Sequence, residues 1–185
     1  MELHGATAGS DEHLMMAVRG GSRAAFEQLF AHYRQPVWAF FRRRVRDAAA
    51  AEDLAQSVFV ALLEAAPRYQ PRSAFRSYLF GIAFNILQAD RRKKVARAEG
   101  PLGDEVPVQD PGDPDAGLWV RTALAQLEPE DREVVMLREY EGLSYQEIAE
   151  LRQMPLNTVW SRLFRARMAL RTLLTPDVQK EEQAR

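Results

Sequence analysis

Four arginines, Arg162, Arg165, Arg167 and Arg171, fall in a stretch with no acidic residue between Thr158 and Leu174. Guanidinium groups on one helix, unopposed by carboxylates, are suited to phosphate oxygens and to the acceptor edges of bases in a DNA groove. A second group pairs aromatic and basic residues: FRSYLFGIAFNILQADRRKK, from Phe75 to Lys94. Aromatic rings beside a cationic track suit stacking on unpaired bases, although Phe75 and Tyr78 fit a helix core better. A third group is acidic and polar: Glu52, Asp53 and Gln56 lie on one face of an apolar helix. They form either a solvated surface or a dock for a basic partner helix. Enzyme chemistry has no foothold. There is no Gly-rich phosphate loop, no Ser/His/Asp pattern and no metal-ligand spacing. The histidines (His4, His13, His32) are scattered as surface residues and cysteine is absent. No cofactor or metal is implied.

The elements that must position these groups are helices. Ser144 and Glu147 form a capping box at the start of a short helix containing Ile148, Ala149 and Leu151. Pro155 breaks that helix, and Asn157 is the expected N-cap of the next. There Val159, Leu163, Ala166, Leu170 and Leu174 recur on one buried face, which leaves the arginines on the others. Two short helices, a tight turn and a one-sign polar face predict a helix-turn-helix whose second helix reads DNA; the competing reading is a helical hairpin with a solvated basic face.

Earlier in the chain, Leu14, Met15 and Val18 mark a helix from Asp11 that ends at Gly20-Gly21. Ser22 caps another, which Pro36 is expected to kink or interrupt. Arg42, Arg43, Arg44 and Arg46 close it, either on the helix carbonyls or facing phosphate. Asp47 to Leu63 reads as helix, with Leu54, Val58 and Leu62 as its apolar stripe and Phe59 beside it. A proline-flanked loop with Arg68, Tyr69 and Arg72 follows, and Ser73 is the expected cap of the aromatic helix. Phe75, Tyr78, Leu79, Ile82 and Ile86 give that helix its packing face; Phe80 and Phe84 need not all fit the core. Nothing alternates with period two, so the chain is all-α.

Its 185 residues carry a net charge of −1, but unevenly. Residues 1–94 sum to +5, 95–117 to −5 and 118–185 to −1. The middle stretch is rich in Gly, Pro and acid, and reads as a flexible acidic linker between helical domains at 12–94 and 118–175. The second begins with a helix from Leu118 to Gln126. Another starts at Pro129 with acids in its first turn and is stopped by Gly142. Residues 1–11 and the tail from Thr175 read as disordered or frayed. No apolar run approaches the ~20 residues of a membrane span, and the N-terminus lacks a signal-peptide pattern. A cytoplasmic protein is expected.

Four blocks in order carry a family resemblance: FEQLFAHYRQPVWAFF, AAEDLAQSVFVALLE, FRSYLFGIAFNILQADRRKK, and LEPEDREVVMLREYEGLSYQEIAELRQMPLNTVWSRLFRARMALRTLL. Together they resemble the extracytoplasmic-function group of bacterial RNA polymerase sigma factors. The resemblance implies a region 2 that binds core polymerase and opens the −10 element, and a region 4 that reads the −35 element. It assigns Glu52, Asp53 and Gln56 to polymerase docking, and the loop bearing Arg68, Tyr69 and Arg72 to capture of an extruded base. Arg76, Asn85, Arg91, Arg92 and Lys93 go to −10 DNA, with Lys94 beside them, and Thr158, Trp160, Ser161, Arg162 and Arg165 to −35 DNA. The linker would thread through polymerase, and an anti-sigma factor is an implied inhibitory partner.

Three positions depart from the family pattern. Ser57 stands where Glu is frequent, which removes one acid from the docking patch. Asn157 stands where Gly is frequent, and Trp160 where a basic residue is usual. A free-standing helix-turn-helix regulator is the principal rival, but it leaves the patch at Glu52 to Gln56 and the aromatic-basic helix without a task. A hub for regulators is a third reading.

Overall fold

The computed structural model describes residues 8–97 and 114–175, with side chains from 11 and from 118. All the regular elements among them are helical, and they form two units, Met1–Val108 and Gln109–Arg185. Most of the expected linker, the first seven residues and the tail beyond Thr175 lie outside the described residues. The expected linker edges are helical instead: residues 95 and 96 finish one helix, and 114–117 start the next.

Unit 1 contains α1 (Ala8–Arg19), α2 (Arg23–Arg42), α3 (Ala48–Ala65), a 3-10 turn (Ala66–Arg68) and α4 (Phe75–Ala96). Gly21 takes φ +89°, a left-handed value that separates α1 from α2. Ser22 caps α2, accepting from the Ala25 amide at 3.3 Å, and Asp47 caps α3 through Ala49 at 3.0 Å. α2 packs on α1 and α3, and α4 packs on α3 and α1. Met15, Leu29, Val37, Phe40, Phe41 and Leu79 are among the side chains at the centre. Phe80 and Phe84 are buried with them, so this core absorbs more of the α4 aromatics than the helical stripe alone demanded.

Pro36 does not interrupt α2, which runs unbroken through it. An interior proline costs about 3 kcal/mol. Burial of Tyr33, Val37, Phe40 and Phe41 around it, each contributing about 1.5–3 kcal/mol, outweighs that loss.

The start of α4 also differs from expectation. Its N-cap position is Ala74, with no local side-chain bond. The Phe75 amide instead donates to Glu12 Oε1 at 2.6 Å, a cap supplied by α1 from 63 residues away.

Unit 2 contains α5 (Pro114–Ala125), α6 (Pro129–Glu139), α7 (Tyr145–Arg152) and α8 (Leu156–Leu174). Arg132 turns back from α6 to donate to the carbonyls of Leu124, Ala125 and Leu127, satisfying the end of α5. Gly142, at φ +70°, carries the chain off α6. The capping box of α7 is complete: the Glu147 amide donates to Ser144 Oγ (3.2 Å) and the Ser144 amide to Glu147 Oε2 (2.7 Å).

The turn into α8 is built differently from the sequence reading. Gln153 ends α7 in the left-handed region at φ 51°, and the N-cap of α8 is Pro155. Asn157 lies within the first turn of α8 and is not its cap. Proline has no side-chain acceptor to offer as a cap, and the Thr158 amide is taken instead by the Pro155 carbonyl at 2.9 Å.

Candidate functional site

On α3, Glu52, Asp53 and Gln56 all face solvent. They lie within one helical turn, and Gln56 Nε2 reaches Glu52 Oε1 at 3.5 Å. Ser57 sits beside them, its hydroxyl donating to the Asp53 carbonyl at 2.8 Å. The same face continues into exposed apolar residues that sequence reasoning missed, Val60 and Leu63. Phe30, also exposed, meets Phe59 of α3 edge-on at 4.8 Å. The signal was present: α3 holds more large apolar side chains than the stripe through Val58 and Leu62 can bury.

The loop between α3 and α4 is held from both ends by α1. Arg19 Nη1 donates to the Tyr69 carbonyl at 3.1 Å, and Glu12 takes the Phe75 amide. Arg68 and Arg72 are exposed on it, and the Arg72 guanidinium is steadied by Gln70 Oε1 at 2.7 Å. Tyr69 does not face outward with them. It is buried against Phe75 and Tyr78, with centroid separations of 6.5 and 5.0 Å, and its hydroxyl has no hydrogen-bond partner among the described residues. The apolar surface at the start of α4 captures the ring. Burial pushes its hydroxyl up to about 12, helped by the charge on Glu12 and by Tyr78.

Along α4, Asn85 and Arg92 are exposed seven residues apart, hence on one face. Lys93 is exposed beside Arg92, while Arg91 is half-buried. Lys94 pairs with Asp90 at 3.0 Å and so contributes less net charge to this end. Arg76 is half-buried, its guanidinium 5.1 Å from the Phe80 ring centre. It also interacts with the Tyr33 hydroxyl, which donates to buried Asp11 at 2.6 Å.

The arginine run at the end of α2 is part of the interior. Arg42 Nη1 donates to the carbonyls of Val45 and Arg46, and Arg44 Nη1 to that of Phe40, whose ring the Arg44 guanidinium covers at 3.9 Å. Arg42, Arg43 and Arg44 are buried. Of the two readings of this run, the helix-end role is the one the geometry supports.

On α8, Thr158 is half-buried and Ser161 exposed, the Ser161 hydroxyl donating to the Thr158 carbonyl at 3.0 Å. Trp160 is exposed and meets Tyr145 edge-on at 4.6 Å. With Phe164 and Met168, both exposed, it forms an apolar ridge at four-residue spacing. Arg167 is drawn to that side, donating to Tyr145 Oη (3.0 Å) and Glu139 (2.9 Å). Arg162 and Arg165 turn the other way, toward Asp131 in the first turn of α6. Among the described residues, no three metal-type side chains converge, and no helix is long and apolar enough to cross a membrane.

Comparison with known proteins identifies the family of each unit. Residues 29–97 match the model for sigma-70 region 2, and residues 117–170 the model for sigma-70 region 4. The RNA polymerase sigma-H factor of Pseudomonas aeruginosa is 33% identical, over 92% of this chain and 96% of that protein. The sigma factor CarQ of Myxococcus xanthus is 34% identical over 86% and 95%. Among solved structures, RpoE of Bartonella quintana, in complex with the anti-sigma factor NepR, aligns with a TM-score of 0.67 at 26% identity. That alignment covers 82% of this chain and 98% of the other. CnrH, in complex with the cytosolic domain of CnrY, aligns at 0.63 and 27%, over 90% and 98%. The chain belongs to the sigma-70 family of RNA polymerase sigma factors, in its extracytoplasmic-function group.

Proposed function

We propose that the chain docks on core RNA polymerase through α3 and directs initiation by reading two promoter elements. The dock is the face carrying Glu52, Asp53 and Gln56, extended by Val60 and Leu63. The observation that carries this reading is the exposure of that polar-then-apolar face in the unit matched by region 2. A free-standing regulator would have no use for it.

In the same unit, Arg68 and Arg72 border the loop that receives an extruded base of the −10 element. Arg76, Asn85, Arg91, Arg92 and Lys93 follow the backbone of the opening strand. Melting costs unpairing energy, which a pocket and a cationic track offset by favouring the open strand. In unit 2, α8, the helix that carries Thr158, Trp160, Ser161, Arg162 and Arg165, enters the major groove of the −35 element. Each unit alone binds weakly; linkage through polymerase raises the effective concentration of the second for its site. The solved relatives are complexes with an anti-sigma factor and with the cytosolic domain of CnrY. The exposed apolar residues Phe30, Val60 and Leu63 support a regulator of that kind for this chain. The site of action is the cytoplasm, where polymerase is, and the role is that of an initiation factor rather than a catalyst.

A pull-down with purified core polymerase tests the dock. Asp53→Ala and Gln56→Ala should each weaken capture while leaving the helical content unchanged. Undiminished capture by the double variant would remove α3 from the interface.

A further inference from the structure

Asp131 is one buried carboxylate serving two arginines. It lies in the first turn of α6 with only 5% of its surface exposed. Its Oδ1 accepts from Arg162 Nη1 at 2.9 Å and Arg165 Nη2 at 3.0 Å, and its Oδ2 accepts from Arg165 Nε at 3.1 Å. Arg165 is therefore held by a two-point fork, which fixes the plane of its guanidinium as well as its position. Its side chain is nonetheless 59% exposed, and that of Arg162 only 25%. A guanidinium has five N–H donors. Arg165 spends two on Asp131, and the remaining three are available at an exposed edge. Arg162 gives one to Asp131, and its Nε is buried without a partner among the described residues. The two arginines are thus unequal: one is presented, the other is packed.

We propose that Asp131 is a positioning residue for DNA reading by α8. It locks the Arg165 guanidinium in the orientation that meets the −35 element, with Arg162 as a second brace behind it rather than a base reader. This rests on the −35 role of α8 given above. Exposed arginines ordinarily lose rotamer freedom on binding; here that ordering precedes DNA. The carboxylate also places a negative charge near the phosphates. If its effect were electrostatic alone, removing it would strengthen binding to every sequence. If it positions Arg165, removing it lowers discrimination while binding to non-cognate DNA holds or rises. The two roles have opposite signs on the cognate promoter.

The experiment uses holoenzyme reconstituted from the full chain and core polymerase. The DNA is a promoter duplex recovered by transcription from a genomic fragment pool, and the same duplex with its −35 segment scrambled. Asp131→Asn should cut the ratio of cognate to scrambled affinity by at least about fivefold, the low end of what a bidentate arginine contact contributes. Affinity for scrambled DNA should hold or rise. Asp131→Glu, which keeps the acceptor pair, should recover part of the ratio, and adding Arg165→Ala to Asp131→Asn should cost little more.

An unchanged ratio in Asp131→Asn, with wild type discriminating, would overturn the positioning role and leave the −35 reading standing. A wild-type holoenzyme indifferent to the scrambled segment would overturn both. If Asp131→Asn fails to fold, the single variants decide. Arg165→Ala must lose more discrimination than Arg162→Ala; an equal or larger loss in Arg162→Ala overturns the proposal.

Discussion

Glu12 is a distant residue on which α4 depends. The Phe75 amide is one of the four that a helix start leaves unpaired, and no side chain of its own loop takes it. Glu12 Oε1 does so at 2.6 Å from α1. A hydrogen bond to a charged group contributes about 1.5–3 kcal/mol, and a carboxylate at a helix N-terminus about 0.3–1 kcal/mol. Glu12→Ala removes both and leaves a part-buried donor unpaired, so unit 1 should lose about 2–3 kcal/mol. Glu12→Gln keeps a neutral acceptor and should lose about half of that. For a unit of this size, each kcal/mol shifts the midpoint by roughly 4–8 °C. The assay is calorimetry on the full chain, in which unit 2 provides an internal reference transition that should not move. A loss below about 0.5 kcal/mol, the scatter of ordinary surface substitutions, would refute the reasoning. A downward shift of both transitions would show that the effect is not local to the start of α4.

Other outcomes follow from the same contacts. Tyr69→Phe removes a buried hydroxyl with no partner, so denaturant unfolding should show unit 1 unchanged or up to about 1 kcal/mol more stable; a loss above that would mean the hydroxyl is satisfied. Ser144→Ala opens the capping box and should cost unit 2 about 1 kcal/mol in the same assay. Burial raises the tyrosine hydroxyls of Tyr33 and Tyr69, the first aided by its bond to Asp11 and the second to about 12. Folding then favours the protonated forms. Their contribution to stability should be constant below the ordinary tyrosine value near pH 10 and fall as pH rises toward 12, and Tyr33→Phe should flatten that fall. Val60→Asp should leave unit 1 folded, since Val60 is exposed, yet weaken capture of core polymerase; full capture would confine the dock to the polar residues.

Most of the helices and both helix-turn-helix partners were legible because their signals are local. The Ser144/Glu147 box and the stripe Val159, Leu163, Ala166 depend on residues within a few turns of one another. So do Ser22 as a cap and the breaks at Gly21 and Gly142. What escaped depends on long-range pairing. The cap of α4 comes from Glu12 on α1, and Tyr69 is drawn into the apolar surface at the start of α4. Asp131 reads in sequence as one more acid in a helix first turn; only the packing of α6 on α8 gives it Arg162 and Arg165. Pro36 misled for a related reason, because the burial that carries α2 through it is tertiary. The candidate site was legible in outline, since an exposed patch on α3 and a basic α8 follow from helical periodicity. The apolar extension at Val60 and Leu63 was hidden among core-type residues of the same chemistry.

The most direct test of the account is run-off transcription by core polymerase with and without this chain, on a pool of genomic fragments. Transcripts should appear only with the chain, and their start sites should share one sequence at −10 and another at −35. Transcripts should be lost with the Asp53→Ala/Gln56→Ala pair. Tight duplex binding by the chain alone, with no chain-dependent transcripts in the presence of polymerase, would contradict it.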